Sequence, residues 1–212
     1  LELLQQLGLS NQYGKDFFRG RVLFTIHNVS GKVLGFGGRT LSADKKIPKY
    51  VNSPETEIYF KSKIVYGIHQ ARKAIVQQDS CFLVEGYMDV ISLHQGGIEN
   101  VVASSGTALT QEQVRLIKRY TQHVVILYDG DAAGVKAALR GLDIALEEGL
   151  NVKVVLLPAE DDPDTLVQKL GGEGFRKYVE ENRKDLIHLK TDLFLSEAKG
   201  DPVKIAAIIK DI

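Results

Sequence analysis

The 212-residue chain contains a single cysteine, Cys81, and no long hydrophobic run. One cysteine excludes an internal disulfide and a cysteine-based zinc site, so no zinc is expected in this segment. The longest apolar stretches, 124–128 and 152–157, fall far short of the roughly 20 residues that a membrane-spanning helix needs. The first residues, LELLQQLGLS, lack the basic segment and apolar stretch of a signal peptide, and a cytoplasmic location is the expectation. Net charge is absent too, with 27 Lys and Arg against 27 Asp and Glu. What is present is ordinary for a globular chain: 44% hydrophobic and 25% charged residues, enough length for one large domain or two small ones.

A neutral chain argues at first against a nucleic-acid partner, which calls for a basic surface. Counting by segment changes that. Residues 1–79 hold 12 basic and 6 acidic residues, residues 80–170 hold 7 and 13, and residues 171–212 hold 8 and 8. The neutral total conceals a basic third (+6) followed by an acidic third (−6).

The pattern of the chain changes at the same place. Residues 21–28 and 33–36 are rich in β-formers and flank Ser30-Gly31, which predicts a hairpin. A polar loop is expected over 42–54, and apolar residues at Ile64, Ile68, Ala71 and Ile75 predict a helix over 64–77. From Ser80 strands alternate with helices. Strands are expected at 81–84, 101–103, 123–128 and 152–156. Helices are expected at 87–94, from Thr110 with Gln113 completing a capping box, and at 131–148 ended by Gly149. Val135, Leu139, Leu142 and Leu146 form the expected apolar face of that last helix. Four strands separated by helices imply a parallel α/β sheet covered on both faces. The chain after Gly171-Gly172 reads as helical.

Open parallel sheets bind ligands beyond the carboxyl ends of their strands. Three strand ends deliver acids there: Glu85 after the first, Asp129 and Asp131 after the third, Asp162 and Asp164 after the fourth. Asp89 follows Glu85 by one helical turn. Two carboxylates about 5 Å apart repel by about 3 kcal/mol at an effective dielectric near 20. Such a cluster calls for a cation, and oxygen ligands on a rigid frame suit Mg²⁺ or Mn²⁺. A lone acid at a helix start is usually a cap, but three in register at successive strand ends favour a metal site. Residues 105–107 (SGT), ahead of a capped helix, can offer backbone N–H groups to an anion.

The blocks VEGYMDV (84–90), ASSGTALT (103–110), VVILYDGDAAG (124–134) and EDDPDTLV (160–167) resemble a Toprim domain. Upstream, RVLFTI (21–26), GFGGR (35–39), PKYVNSPET (48–56) and FKSKIVYG (60–67) resemble the polymerase core of bacterial DnaG-type primases. Thr25 and His27 stand where that family shows proline and a basic residue, and Ser105 where leucine is commoner. The resemblance implies a Toprim-type parallel sheet with flanking helices, preceded by a mixed α/β basic subdomain and followed by helices. It implies a division into a partial template-binding subdomain (1–79), a Toprim metal-binding domain (80–170) and the start of a helical subdomain (171–212).

The implied activity is RNA-primer synthesis on single-stranded DNA by metal-dependent nucleotidyl transfer. Glu85, Asp129 and Asp131 then match the catalytic positions, and Glu85, Asp89, Asp129, Asp131, Asp162 and Asp164 the Mg²⁺ or Mn²⁺ positions. Arg21, Arg39, Lys49, Asn52 and Lys61 match positions associated with nucleotide or template. The implied partners are single-stranded DNA, NTPs and, through a C-terminal module outside this sequence, a replicative helicase; a monomer is expected. A Toprim nuclease and a non-catalytic DNA- or partner-binding Toprim module remain as alternatives.

Overall fold

The computed structural model describes residues 1–129, 132–158, 160–189 and 191. After a short helix α1 (Glu2–Gln6), the basic part of the chain forms a three-stranded antiparallel sheet, β1 (Arg21–His27), β2 (Val33–Thr40) and β3 (Tyr50–Asn52), in that order. Two features depart from expectation. The glycines of 35–38 do not end the second strand, because β2 runs through them and pairs Gly37, Gly38 and Arg39 with β3. The loop over 42–54 therefore contains a strand. Glycine suits this stretch because another residue needs the space: a Cβ on Gly37 would lie 2.6 Å from the Tyr87 ring. That ring stacks on Phe24 at 5.0 Å and meets the edge of Tyr66 at 4.7 Å, which seats the antiparallel sheet on the second half of the chain.

A 3₁₀ turn at Lys61–Lys63 leads to α2 (Ile68–Gln78), which starts later than its apolar spacing suggested. The remaining elements are β4 (Cys81–Val84), α3 (Tyr87–Gln95), β5 (Val101–Ala103), α4 (Gln111–Lys118), β6 (His123–Tyr128), α5 (Ala132–Glu147), β7 (Asn151–Leu156) and α6 (Pro163–Asn182). The four strands form a parallel sheet in the order β5-β4-β6-β7. β4 and β5 are apolar and buried throughout because both faces are covered, whereas β6 opens on exposed His123 and the edge strand β7 carries exposed Asn151 and Lys153. Val124, Ile126 and Tyr128 of β6 pack in one core with Ile68, Ala71 and Ile75 of α2 and Leu142 of α5. Val125 and Leu127 pack in the other with Val90 and Leu93 of α3 and Phe175 of α6.

The buried face of α5 is Ala138, Leu142 and Ala145, whereas Leu146, expected inside, is 38% exposed. Small residues let the helix lie close to the sheet, and the larger leucines flank that contact. The helix α6 spans the expected boundary at 170/171 and kinks at Gly171 (φ 68°, ψ 171°), a left-handed backbone that glycine adopts without strain. Among the described residues no helix is long and apolar enough to cross a membrane.

Candidate active site

Strand order reverses at β4, with β5 on one side and β6 on the other. The carboxyl ends of β4 and β6 are therefore adjacent, and they deliver Glu85 and Asp129 to one edge. A cleft of about 380 Å³ opens there, between that edge and the antiparallel sheet. It is lined by Glu85, Asp89, Asp129, Asp162 and Asp164 on the acidic side and by Arg39, Lys49 and Asn52 on the other. Eight of the eleven residues singled out from the sequence thus line one cleft. Asp131 lies outside the described residues. Arg21 and Lys61 do not line it.

The acids are held in different ways. Asp89 is the third residue of α3 and accepts the Gly86 N–H at 2.9 Å. Desolvation pushes its carboxyl up to about 6, with the charges of Asp162 and Asp129 acting in the same direction and the N–H groups of Gly86 and Asp164 opposing. Asp162 is the N-cap of α6, accepting the Thr165 N–H at 2.8 Å. Asp164 accepts the Ser92 hydroxyl at 2.6 Å, which ties α6 to α3, and a further hydrogen bond from Gln168.

The raised Asp89 carboxyl gives a testable sign. Its ordinary value is 3.8 and its folded value about 6. Below 3.8 the group is protonated in both states; above about 6 it is ionised in both, at a cost only in the folded one. Asp89→Asn should therefore raise the unfolding temperature at pH 8, and the gain should vanish as pH falls through this window to 4. Equal effects at pH 4 and pH 8 would contradict the assignment.

The basic wall is anchored from behind. Arg21 donates to the carbonyls of Gly38 at 3.2 Å, Pro48 at 2.9 Å and Lys49 at 3.4 Å, so it holds the segment that presents Lys49. The Arg39 guanidinium lies over the Tyr50 ring, 5.9 Å from its centre. Tyr50 faces the acids across the cleft: desolvation raises its hydroxyl, Arg39 lowers it, and Asp89, Asp164 and Asp162 raise it. Asn52 accepts from the Tyr87 hydroxyl at 2.8 Å and donates to the Ser105 carbonyl at 3.4 Å, joining β3 to α3 and to the 104–109 loop. Lys61 sits in the 3₁₀ turn, where its carbonyl accepts from Gln113 at 3.2 Å.

Ser92, Tyr50 and Tyr87 belong to the site and were not among its sequence candidates, whereas Ser105, read as a backbone anion donor, does line the cleft. Tyr50 stands between two of those candidates, Lys49 and Asn52, which is a usable signal. Ser92 and Tyr87 act through partners 72 and 35 residues away, and no local pattern reveals that.

Among the described residues no three carboxylate, imidazole or thiol groups are drawn together tightly enough to hold a metal ion by themselves. The donor set is nonetheless all hard oxygen, on rigid strand ends. A carboxyl raised in part by its acidic neighbours is one that a cation would relieve. These residues fit a divalent cation that keeps several waters or substrate oxygens.

Comparisons with known proteins converge. The sequence model described as the DNA primase catalytic core, N-terminal domain, matches residues 2–72, and the Toprim-like model matches residues 82–167. A DNA primase of Clostridium acetobutylicum is 47% identical over 216 residues, covering 100% of this chain and 35% of that protein. The chain thus spans about a third of the length of this curated relative. A crystal structure of the RNA polymerase domain of Mycobacterium tuberculosis primase DnaG with double-stranded DNA superimposes with a TM-score of 0.84 at 32% identity, covering 99% of this chain and 69% of that one. A DnaG primase catalytic domain bound to single-stranded DNA superimposes with a TM-score of 0.81 at 41% identity, covering 92% of this chain and 61% of that one.

Proposed function

The chain belongs to the DnaG-type DNA primase family, and from that premise we propose that it is part of the RNA-polymerising core of a primase, copying single-stranded DNA into short RNA. The observation that carries this reading is the cleft itself, with Glu85 and Asp129 at adjacent strand ends facing Arg39 and Lys49. Acids alone would suit many metal-dependent reactions; acids opposite two cations suit a substrate with a triphosphate.

In this reading Glu85, Asp89, Asp129, Asp131, Asp162 and Asp164 hold Mg²⁺ or Mn²⁺. When bound, a divalent cation lowers the pKa of the attacking hydroxyl and neutralises the leaving pyrophosphate. Glu85, exposed at the end of β4, serves as a ligand or takes up the hydroxyl proton. The 3′-oxygen forms its bond to the α-phosphorus while the bond from that phosphorus to pyrophosphate breaks. Arg39 engages phosphate oxygens through its planar fork and Lys49 as a point charge. Arg21 keeps Lys49 in place, Asn52 braces the loop at Ser105, and Lys61 adds positive charge toward the template. Residues 1–79 then hold template, 80–170 hold metal, and 171–212 begin the helical part. A replicative helicase would be engaged outside this segment.

The test is Mn²⁺-dependent incorporation of a labelled NTP on single-stranded DNA. Incorporation supports polymerisation. Metal-dependent shortening of the DNA without incorporation would point to a nuclease, and DNA binding with neither activity to a non-catalytic module.

A further inference from the structure

A second cavity, of about 340 Å³, adjoins the first, and Glu85 and Gly106 line both. Successive strand residues point to opposite faces of a sheet. Leu127 at the end of β6 accordingly lines the first cavity and Tyr128 the second. The wall between them is the 104–109 loop, which turns through two left-handed residues, Ser105 (φ 47°) and Gly106 (φ 82°). For a serine that backbone is strained, and such strain concentrates where a site imposes it.

Two further features mark the second cavity as a built site. Tyr128 lines the second cavity, and its hydroxyl makes no hydrogen bond to the described residues. An occupant of the cavity can donate to it or accept from it. Arg140 of α5 also lines the cavity and makes no ion pair or hydrogen bond among the described residues. Next to it, Gly141 interrupts a helix at a cost of about 1 kcal/mol relative to alanine. A Cβ there would stand 3.2 Å from the Tyr128 hydroxyl and 3.5 Å from a Leu109 methyl, so glycine keeps this corner open. The rest of the lining includes Ala108, Leu109 and Ala137.

Joining two nucleotides requires each to be held on its own side of the new bond. The first cavity, with its acids and two cations, suits the triphosphate. The second offers one cation, one free hydroxyl and an apolar wall, which suits one phosphate, a ribose and a base. Glu85 stands at their junction. Resting on the nucleotidyl-transfer reading above, we propose that the second cavity seats the nucleotide that presents the 3′-hydroxyl, with Arg140 on its phosphate and the Tyr128 hydroxyl on its ribose.

The experiment compares wild type, Arg140→Gln and Tyr128→Phe in two assays with Mn²⁺. One is dinucleotide formation from free NTPs on single-stranded DNA; the other is one-nucleotide extension of an annealed RNA primer. Base pairing also holds the end of an annealed primer, so the cavity matters most for a free first nucleotide. The expected result is a rise of about tenfold or more in KM for the initiating nucleotide, and a smaller loss in extension. Tyr128→Phe keeps the ring and its packing, so it remains informative should Arg140→Gln fold poorly. An unchanged KM, or the same factor lost in both assays, would overturn the proposal. A wild type active in neither assay would overturn the nucleotidyl-transfer reading itself.

Discussion

Glu85→Gln should lower metal-dependent nucleotide incorporation by about a thousandfold, roughly 4 kcal/mol in the barrier, while leaving thermal unfolding where it is. The side chain is exposed, so the amide costs no packing. Its carbonyl accepts the Ser105 N–H at 3.0 Å, a bond that the substitution leaves untouched. The change removes one negative charge at the junction of the two cavities. Steady-state incorporation with a parallel melting curve decides the matter. A loss smaller than tenfold would move the chemistry away from Glu85. A loss accompanied by a lower melting temperature would make the residue structural.

Gln113→Ala is expected to be among the most destabilising single changes, at about 3 kcal/mol, or about 6–12 °C in melting temperature. Gln113 is fully buried. Its amide nitrogen donates to the carbonyls of Ile64 at 2.8 Å, Lys61 at 3.2 Å and Ser104 at 3.3 Å. Its amide oxygen accepts the Thr110 N–H at 3.1 Å and so closes the capping box of α4. Thr110 in turn donates its hydroxyl to the Ser62 carbonyl at 2.6 Å. One helix start therefore clamps the 3₁₀ turn of the basic half to the loop that separates the two cavities. Alanine would strand these groups in the interior and leave a cavity behind. Glutamate keeps the acceptor for Thr110 but sets a carboxylate against the carbonyls, so Gln113→Glu should fare no better. Denaturant unfolding checks both; a loss below 1 kcal/mol would show that water replaces these bonds freely.

That clamp also shows what was legible in the sequence and what was not. Thr110 and Gln113 announce a capping box, and the structure places it there. The three distant carbonyls that Gln113 also serves leave no local trace. The strands Cys81–Val84 and Val101–Ala103 were readable to the residue because a parallel sheet buried on both faces demands unbroken apolar runs. Three-residue β3 was not, since its pairing with Gly37–Arg39 comes from across the sheet and its flanks carry prolines. The acidic half of the cleft was legible because strand ends must converge at one edge. The basic half was only partly so: charge alone could not separate Arg39, which lines the cleft, from Arg21, whose guanidinium is spent on three carbonyls.

Segment charges of +6 and −6 meet as two walls of one cleft. The central claim is that the acidic wall binds a divalent cation through the strand-end carboxylates. Titration of Mn²⁺ into wild type and into the Asp129→Ala, Asp131→Ala double variant, followed by electron paramagnetic resonance of the free ion, tests it most directly. The expected result is saturable binding to wild type and a loss of about tenfold or more in affinity in a double variant that melts normally. Equal affinity in the two proteins would contradict the account.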